Sequence, residues 1–173
     1  MCGAKHCPLN LKVKNYDYFN NLKKKILRTK PKLVAIANPN QPIEAMLSIN
    51  QIKEICKISE KLGSLVIIDE AYYHFNNITA KSLIKNCKNL IVVRTFSKAF
   101  GVAGMRIGYT ISNSKIIGYM LSIKPIYEIN AFNMKLVKHL LKNIKVMKDY
   151  VKGIEKGRLM LKKFLNSKNI EMI

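Results

Sequence analysis

Short continuous apolar runs alternate along the middle of the chain with longer stretches in which apolar positions recur at helical spacing. Leu33-Val34-Ala35-Ile36-Ala37 is such a run, as expected of a buried parallel strand. The turn-rich segment Asn38-Pro39-Asn40-Gln41-Pro42 follows it. Ser48, with Gln51 three residues on, forms a capping box that opens a helix. Ile52, Ile55, Cys56, Ser59 and Leu62 make one face of that helix, and Gly63 stands where a C-cap glycine belongs. Leu65-Val66-Ile67-Ile68 predicts a second strand, ending on Asp69-Glu70. A weak helix or loop leads to a third, Leu90-Ile91-Val92-Val93, ending on Arg94-Thr95. Arg106-Ile107-Gly108-Tyr109-Thr110-Ile111 reads as a fourth.

Strand, helix and strand at these spacings predict an α/β fold with a mostly parallel sheet and flanking helices. From about residue 130 the period changes to that of a helix, which runs to about residue 166 with a break near Asn143. Leu136, Leu140, Ile144, Met147, Val151 and Ile154 share one stripe of it, predicting a core-facing side with lysines in solvent opposite. The last residues, Ile170-Glu171-Met172-Ile173, have the pattern of a strand. No internal repeat or low-complexity linker interrupts the 173 residues.

Composition adds a puzzle. The formal net charge is +21, a value that would suit nucleic acid or an anionic membrane. Yet the arginines are only Arg28, Arg94, Arg106 and Arg158, and the lysines are spread along the whole chain. Phosphate and base recognition favour arginine, so the charge is read as a solvated surface, with neither nucleic acid nor membrane as partner. No apolar run has the length of a membrane span. With no signal peptide in evidence, the expected location is cytoplasmic, with Cys2, Cys7, Cys56 and Cys87 reduced. Cys2, His6 and Cys7 are close in sequence, but no second ligand pair follows at zinc spacing, so no metal is expected. Cys56 is expected in the core.

The candidate chemistry sits at strand C-terminal ends, where open α/β sheets bind ligands. Pyridoxal phosphate (PLP) chemistry needs a lysine to form an imine with the cofactor aldehyde and to move protons. It needs a carboxylate to keep the pyridine nitrogen protonated, and hydroxyls, N–H groups and a guanidinium for the phosphate. Lys98, Asp69, and Thr95, Ser97 and Arg106 are groups of these kinds.

Two segments carry a resemblance: Asp69-Glu70-Ala71-Tyr72-Tyr73-His74-Phe75, and the whole of Arg94-Thr95-Phe96-Ser97-Lys98-Ala99-Phe100-Gly101-Val102-Ala103-Gly104-Met105-Arg106-Ile107-Gly108-Tyr109. With them the sequence resembles the fold-type I PLP-dependent aminotransferases (class I/II), in the branch that acts on histidinol phosphate. The resemblance implies that Lys98 is the Schiff-base lysine and proton shuttle, and that Asp69 pairs with the pyridine nitrogen. It implies that Tyr72 hydrogen-bonds the ring oxygen, and that Thr95, Ser97 and Arg106 hold the phosphate. Ala71 would pack against the ring, and Gly101 and Gly104 would let the backbone turn behind the lysine. The family's usual Asn-Pro-Thr-Gly is replaced by Gln41-Pro42-Ile43-Glu44; Gln41 takes the asparagine's place on the ring oxygen, from a longer arm.

The resemblance covers nearly all of this chain but only the central part of the family's. Residues 1–125 would be a partial large cofactor-binding domain, and 126–173 the connecting helices and the start of a truncated small domain. The parts outside would bring a phosphate-binding loop, a ring-stacking aromatic and the arginine for the substrate carboxylate, a position that neither Arg28 nor Arg158 matches. Sheet edges and apolar faces are then expected to be exposed, and another polypeptide could complete the fold. The implied activity is amino-group transfer between a donor such as L-glutamate and a keto acid or keto-phosphate, of the histidinol-phosphate/2-oxoglutarate type in histidine biosynthesis, in a homodimer. Its rivals are a PLP-dependent decarboxylase of an amino-acid phosphate, an inactive remnant, and a basic nucleic-acid-binding domain.

Overall fold

A computed structural model of the chain describes residues 3–9, 17–41, 45–125 and 129–170. Helix α1 (Tyr18–Thr29) leads to strand β1 (Leu33–Ala37), helix α2 (Ile49–Lys61) and strand β2 (Leu65–Asp69). A short helix α3 (Tyr73–Asn76) and a 3-10 turn (Ala80–Lys85) connect to β3 (Leu90–Thr95). After a second 3-10 turn (Ala103–Met105) come β4 (Gly108–Ile111), α4 (Ser114–Ile123), α5 (Ala131–Lys142) and α6 (Ile144–Ser167). The four strands form one sheet in the order β1-β2-β3-β4. β1, β2 and β3 are parallel, and β4 is antiparallel to β3. The sheet is therefore mixed, because segment 96–107 turns straight back instead of crossing over through a helix.

The local signals explain the elements. Ser48 Oγ accepts from the Gln51 N–H and Gln51 Oε1 accepts from the Ser48 N–H, the reciprocal pair that starts α2. Gly63 takes a φ of +66° just past its end, which suits glycine. Asp17 caps α1, accepting from the Asn20 N–H. Ile52, Ile55 and Cys56 of α2 and Leu22 and Ile26 of α1 pack with Val34, Ile36, Val66, Ile68, Leu90 and Val92 of the sheet in one buried cluster. Burying each large aliphatic side chain contributes about 1.5–3 kcal/mol. Asn89 closes the same layer: its Nδ2 donates to the carbonyls of Cys56 and Ser64, both at 3.0 Å.

Several expectations need correction. The continuous apolar run of β1 predicts burial on both faces, yet its residues alternate: Val34 and Ile36 are buried while Leu33 is 51 % exposed. One face of the sheet packs against α1 and α2; on the other, Leu33 and Leu65 are exposed toward β1 while Ile91 of β3 is buried. The stripe expected to face the core in α5 and α6 is only partly covered: Met147 is buried, and Ile154 is 46 % exposed. The break at Asn143 stands where the sequence places it. The fourth strand begins at Gly108 rather than Arg106, because Arg106 is in the left-handed region at φ +52°. The strand expected at the end of the chain, and the loop residues Ile43 and Glu44, lie outside the described residues apart from Ile170, which is in no strand. No helix among the described residues is long and apolar enough to cross a membrane.

Candidate active site

Three parallel strands put their C-terminal ends along one edge of the sheet. Antiparallel β4 begins at that same edge, with Gly108 opposite Thr95. Gln41 follows β1, Asp69 ends β2, Thr95 ends β3, and Arg106 precedes β4. Residues far apart in sequence are thus collected at one edge by topology alone.

Lys98 sits on a turn with a clear local cause. Phe96 and Ala99 are buried and anchor it on either side, while Lys98 between them is exposed. The Gly101 N–H donates to the Lys98 carbonyl at 2.9 Å, and Gly101 takes a φ of +70°. Phe96 and Phe100 pack with ring centroids 4.8 Å apart, and His74 meets Phe100 edge-on at 5.3 Å. Lys98 Nζ lies 5.2 Å from the centre of the Tyr72 ring, a distance at which an ammonium is attracted by the ring face.

The other predicted residues are placed as follows. Asp69 is exposed; its Oδ1 accepts from the Ala71 N–H at 2.9 Å, leaving Oδ2 available to another donor. Thr95 Oγ1 accepts from the Ser97 N–H at 3.0 Å and donates to the Ile107 carbonyl at 3.3 Å, tying the lysine turn to the approach to β4. Arg106 is exposed, with Nη1 donating weakly to the Ala103 carbonyl at 3.4 Å. Gln41 and Tyr72 share a cavity of about 430 Å³ with Met46, Asn76, Glu155 and Arg158, the last two from α6. Lys98, Asp69 and Thr95 are not among the described residues that line it. The structure therefore brings Lys98 to Tyr72, places Tyr72 and Gln41 in the wall of one cavity, and sets Asp69, Thr95 and Arg106 along the adjoining strand ends.

Gly104 does not do what the sequence suggests. It has no positive φ, and a Cβ there would meet nothing within 4 Å. The glycine that the geometry requires is Gly108, where a Cβ would stand 2.6 Å from the Arg94 carbonyl oxygen. Cys2 lies outside the described residues. Among those described, no group of three or more His, Cys, Asp or Glu is placed to hold a metal ion.

Sequence reasoning missed the groups beneath this edge. Glu70 is 1 % exposed and Arg94 9 %. Arg94 Nε donates to Glu70 Oε2 at 3.0 Å, and Nη2 stands 2.9 Å from the same oxygen in an ion pair. Burial opposes the arginine's charge, but hydrogen bonds from its side chain to Tyr109 and Glu70 outweigh that and hold its pKa above the ordinary arginine value. Burial, and then the charge of Arg94, hold the His74 pKa below its ordinary value. The signal was present as one charged residue just past an apolar strand and one near the end of the next, but nothing local says that they are partners.

An exposed primary amine, an adjacent phenol, a carboxylate, hydroxyls and a guanidinium thus lie along the C-terminal edge of an α/β sheet, the edge at which such sheets bind ligands. The sequence pattern of the family "Aminotransferase class I and II" matches residues 7–173. A histidinol-phosphate aminotransferase of Caldanaerobacter subterraneus subsp. tengcongensis is 38 % identical over 172 residues, covering 98 % of this chain and 47 % of that protein. The dihydroxyacetone phosphate transaminase Cj1437c of Campylobacter jejuni is 34 % identical over 149 residues, covering 86 % and 40 %. The crystal structure of a histidinol-phosphate aminotransferase from Sinorhizobium meliloti, in complex with pyridoxal-5'-phosphate, superposes with a TM-score of 0.78 at 23 % identity, covering 87 % of this chain and 42 % of that one. This chain belongs to the class I and II aminotransferases. It spans about half the length of the curated relatives it matches.

Proposed function

We propose that this chain carries the cofactor-binding core of a PLP-dependent aminotransferase. The observation that carries the reading is the exposed Lys98 on an anchored turn beside Tyr72, with Asp69, Thr95 and Arg106 along the same sheet edge, in a chain of this family. The donor set fits the cofactor. Lys98 offers an amine for its aldehyde, Asp69 an available carboxylate oxygen for its ring nitrogen, and Tyr72 and Gln41 donors for its ring oxygen. Ser97, Thr95 and Arg106 offer donors for its phosphate; Thr95 would give up its bond to the Ile107 carbonyl to do so.

When bound, PLP supplies an electron sink that stabilises negative charge beside a substrate amino group. Lys98 Nζ would take and return the proton at the substrate carbon. Asp69 would hold a proton on the ring nitrogen, and Tyr72 would orient the lysine end of the ring. Amino transfer from a donor such as L-glutamate to a keto acid or keto-phosphate follows. The names of both relatives carry a phosphorylated substrate, which supports a phosphorylated partner in the transfer, with the histidinol-phosphate/2-oxoglutarate pair of histidine biosynthesis first. On this reading residues 1–125 belong to a large cofactor-binding domain, residues 126–173 lead toward a smaller one, and the assembly is a cytoplasmic homodimer.

A substrate panel tests the reaction. PLP-loaded protein is offered histidinol phosphate with 2-oxoglutarate, and separately amino-acid phosphates, while glutamate and carbon dioxide are measured. Glutamate formation with no carbon dioxide is expected. Carbon dioxide release without amino transfer would replace the reading with the decarboxylase one.

A further inference from the structure

The residues proposed to act lie next to residues that do not reach the edge at all. Glu70 follows Asp69 and Arg94 precedes Thr95, and both are buried. Every oxygen of the Glu70 carboxylate is engaged. Oε1 accepts from the Ala80 N–H at 2.6 Å; Oε2 accepts from the Thr79 hydroxyl at 2.9 Å and from Arg94 Nε at 3.0 Å, and is paired with the Nη2 charge at 2.9 Å. Arg94 Nη2 also donates to Thr79 Oγ1 at 2.8 Å. The guanidinium carbon stands 3.6 Å from the centre of the Tyr73 ring, and Arg94 is paired across the sheet with Tyr109. The Tyr109 ring in turn packs on Phe96 at 5.7 Å, the residue that anchors the lysine turn.

A buried ion pair gives little net stability over apolar side chains of the same volume, because both ions lose their hydration. Its physical product is geometry. A planar guanidinium held by one carboxylate, one hydroxyl, one ring and one cross-strand neighbour has a single position. The two backbone units it ties together are those that carry Asp69 and Thr95.

We propose that Glu70 and Arg94 are positioning residues: their buried pair, bridged by Thr79, fixes the ends of β2 and β3 so that Asp69, Thr95 and the Lys98 turn hold one mutual arrangement. The inference rests on the reading of Lys98, Asp69 and Thr95 as the cofactor site. It treats Glu70 and Arg94 as touching neither cofactor nor substrate. The bridge supplies a graded perturbation. Thr79→Val removes the hydroxyl while the ion pair remains, and Thr79→Ser keeps the hydroxyl. Glu70→Gln removes the charge.

The test compares wild type with Glu70→Gln, Thr79→Val, Thr79→Ser and, as a surface-pair control, Glu54→Gln, which loses the ion pair to Lys23. Two readouts are taken under conditions where each is folded by circular dichroism. One is amide hydrogen exchange of residues 95–101 relative to β1. The other is the dissociation constant for PLP. Expected are faster exchange at 95–101 with β1 unchanged, and PLP binding weakened about tenfold or more, in Glu70→Gln and to a lesser degree in Thr79→Val. Thr79→Ser and Glu54→Gln should match wild type in both. Should Glu70→Gln not fold, the comparison of Thr79→Val with Thr79→Ser decides. Unchanged exchange at 95–101, or changed exchange with unchanged PLP affinity, overturns the proposal. Wild type that binds no PLP while the variants still loosen 95–101 would instead overturn the cofactor reading and leave the geometric role standing.

Discussion

Gly108→Ala probes the seam between β3 and β4 at the edge of the site. The added Cβ would stand 2.6 Å from the Arg94 carbonyl oxygen and 3.7 Å from Thr95 Cα. That first distance is roughly 0.8 Å short of an ordinary carbon–oxygen contact. The obstacle is backbone, so no rotamer change relieves it, and β4 must move away from β3. Forced overpacking of this kind costs about 1–3 kcal/mol. With a urea slope of about 1–3 kcal/mol per molar, the midpoint should fall by about 1 M. The same displacement pulls at the Thr95–Ile107 bond and at Arg106, so PLP affinity should fall with stability. Gly104→Ala is the matched control. It has open space and no positive φ, and the lost freedom of the unfolded chain should leave it neutral or more stable by about 0.4–1 kcal/mol. Equal urea midpoints for the two variants would refute the reasoning.

Other outcomes follow from the same structure. His74 has a folded pKa below its ordinary 6.5, so the neutral ring contributes stability that is present above 6.5 and lost as pH falls from there through the lower folded value. His74→Phe should flatten the acid limb of a stability–pH curve in that window, and an unchanged limb would count against the burial argument. Burial, and then the neighbouring Cys87, push the Cys56 thiol up to about 12, while Cys7 is exposed. A maleimide at neutral pH should therefore label Cys7 and spare Cys56 and Cys87 until denaturant is added, as peptide mapping would report. Leu33 and Leu65 are exposed on the sheet, with Phe132, Tyr119 and Phe164 exposed on the helices. The 173-residue chain should bind an apolar dye strongly at neutral pH, and Leu33→Lys should reduce that signal.

Much of the frame was legible because its signals are local. The capping box at Ser48 and Gln51, the glycine at 63 and the apolar runs of β1 to β3 each act within a few residues, and each stands where the sequence places it. The roles proposed for Lys98, Asp69 and Tyr72 come from a resemblance that runs through their neighbours on both sides. Less was readable where the cause is distant. The pairing of Glu70 with Arg94 spans 24 positions and is visible only once β2 and β3 lie side by side. Gly104 and Gly108 look alike in sequence; only the approach of β3 distinguishes them. Helices α1 and α4 went unread because lysines and asparagines crowd the first and the second is apolar nearly all round. The open part of the sheet had no local signal either, since an apolar run looks the same whether or not something covers it.

The central claim is that Lys98 is the cofactor's lysine. Purified chain is incubated with PLP, its spectrum recorded, the adduct reduced with borohydride and the modified peptide located by mass spectrometry, with Lys98→Ala in parallel. The account predicts an absorbance band near the edge of the visible, a pyridoxyl group on Lys98 alone among the lysines, and neither in the variant. A folded chain that shows no band, or one whose label is scattered over surface lysines and unchanged in Lys98→Ala, would contradict it.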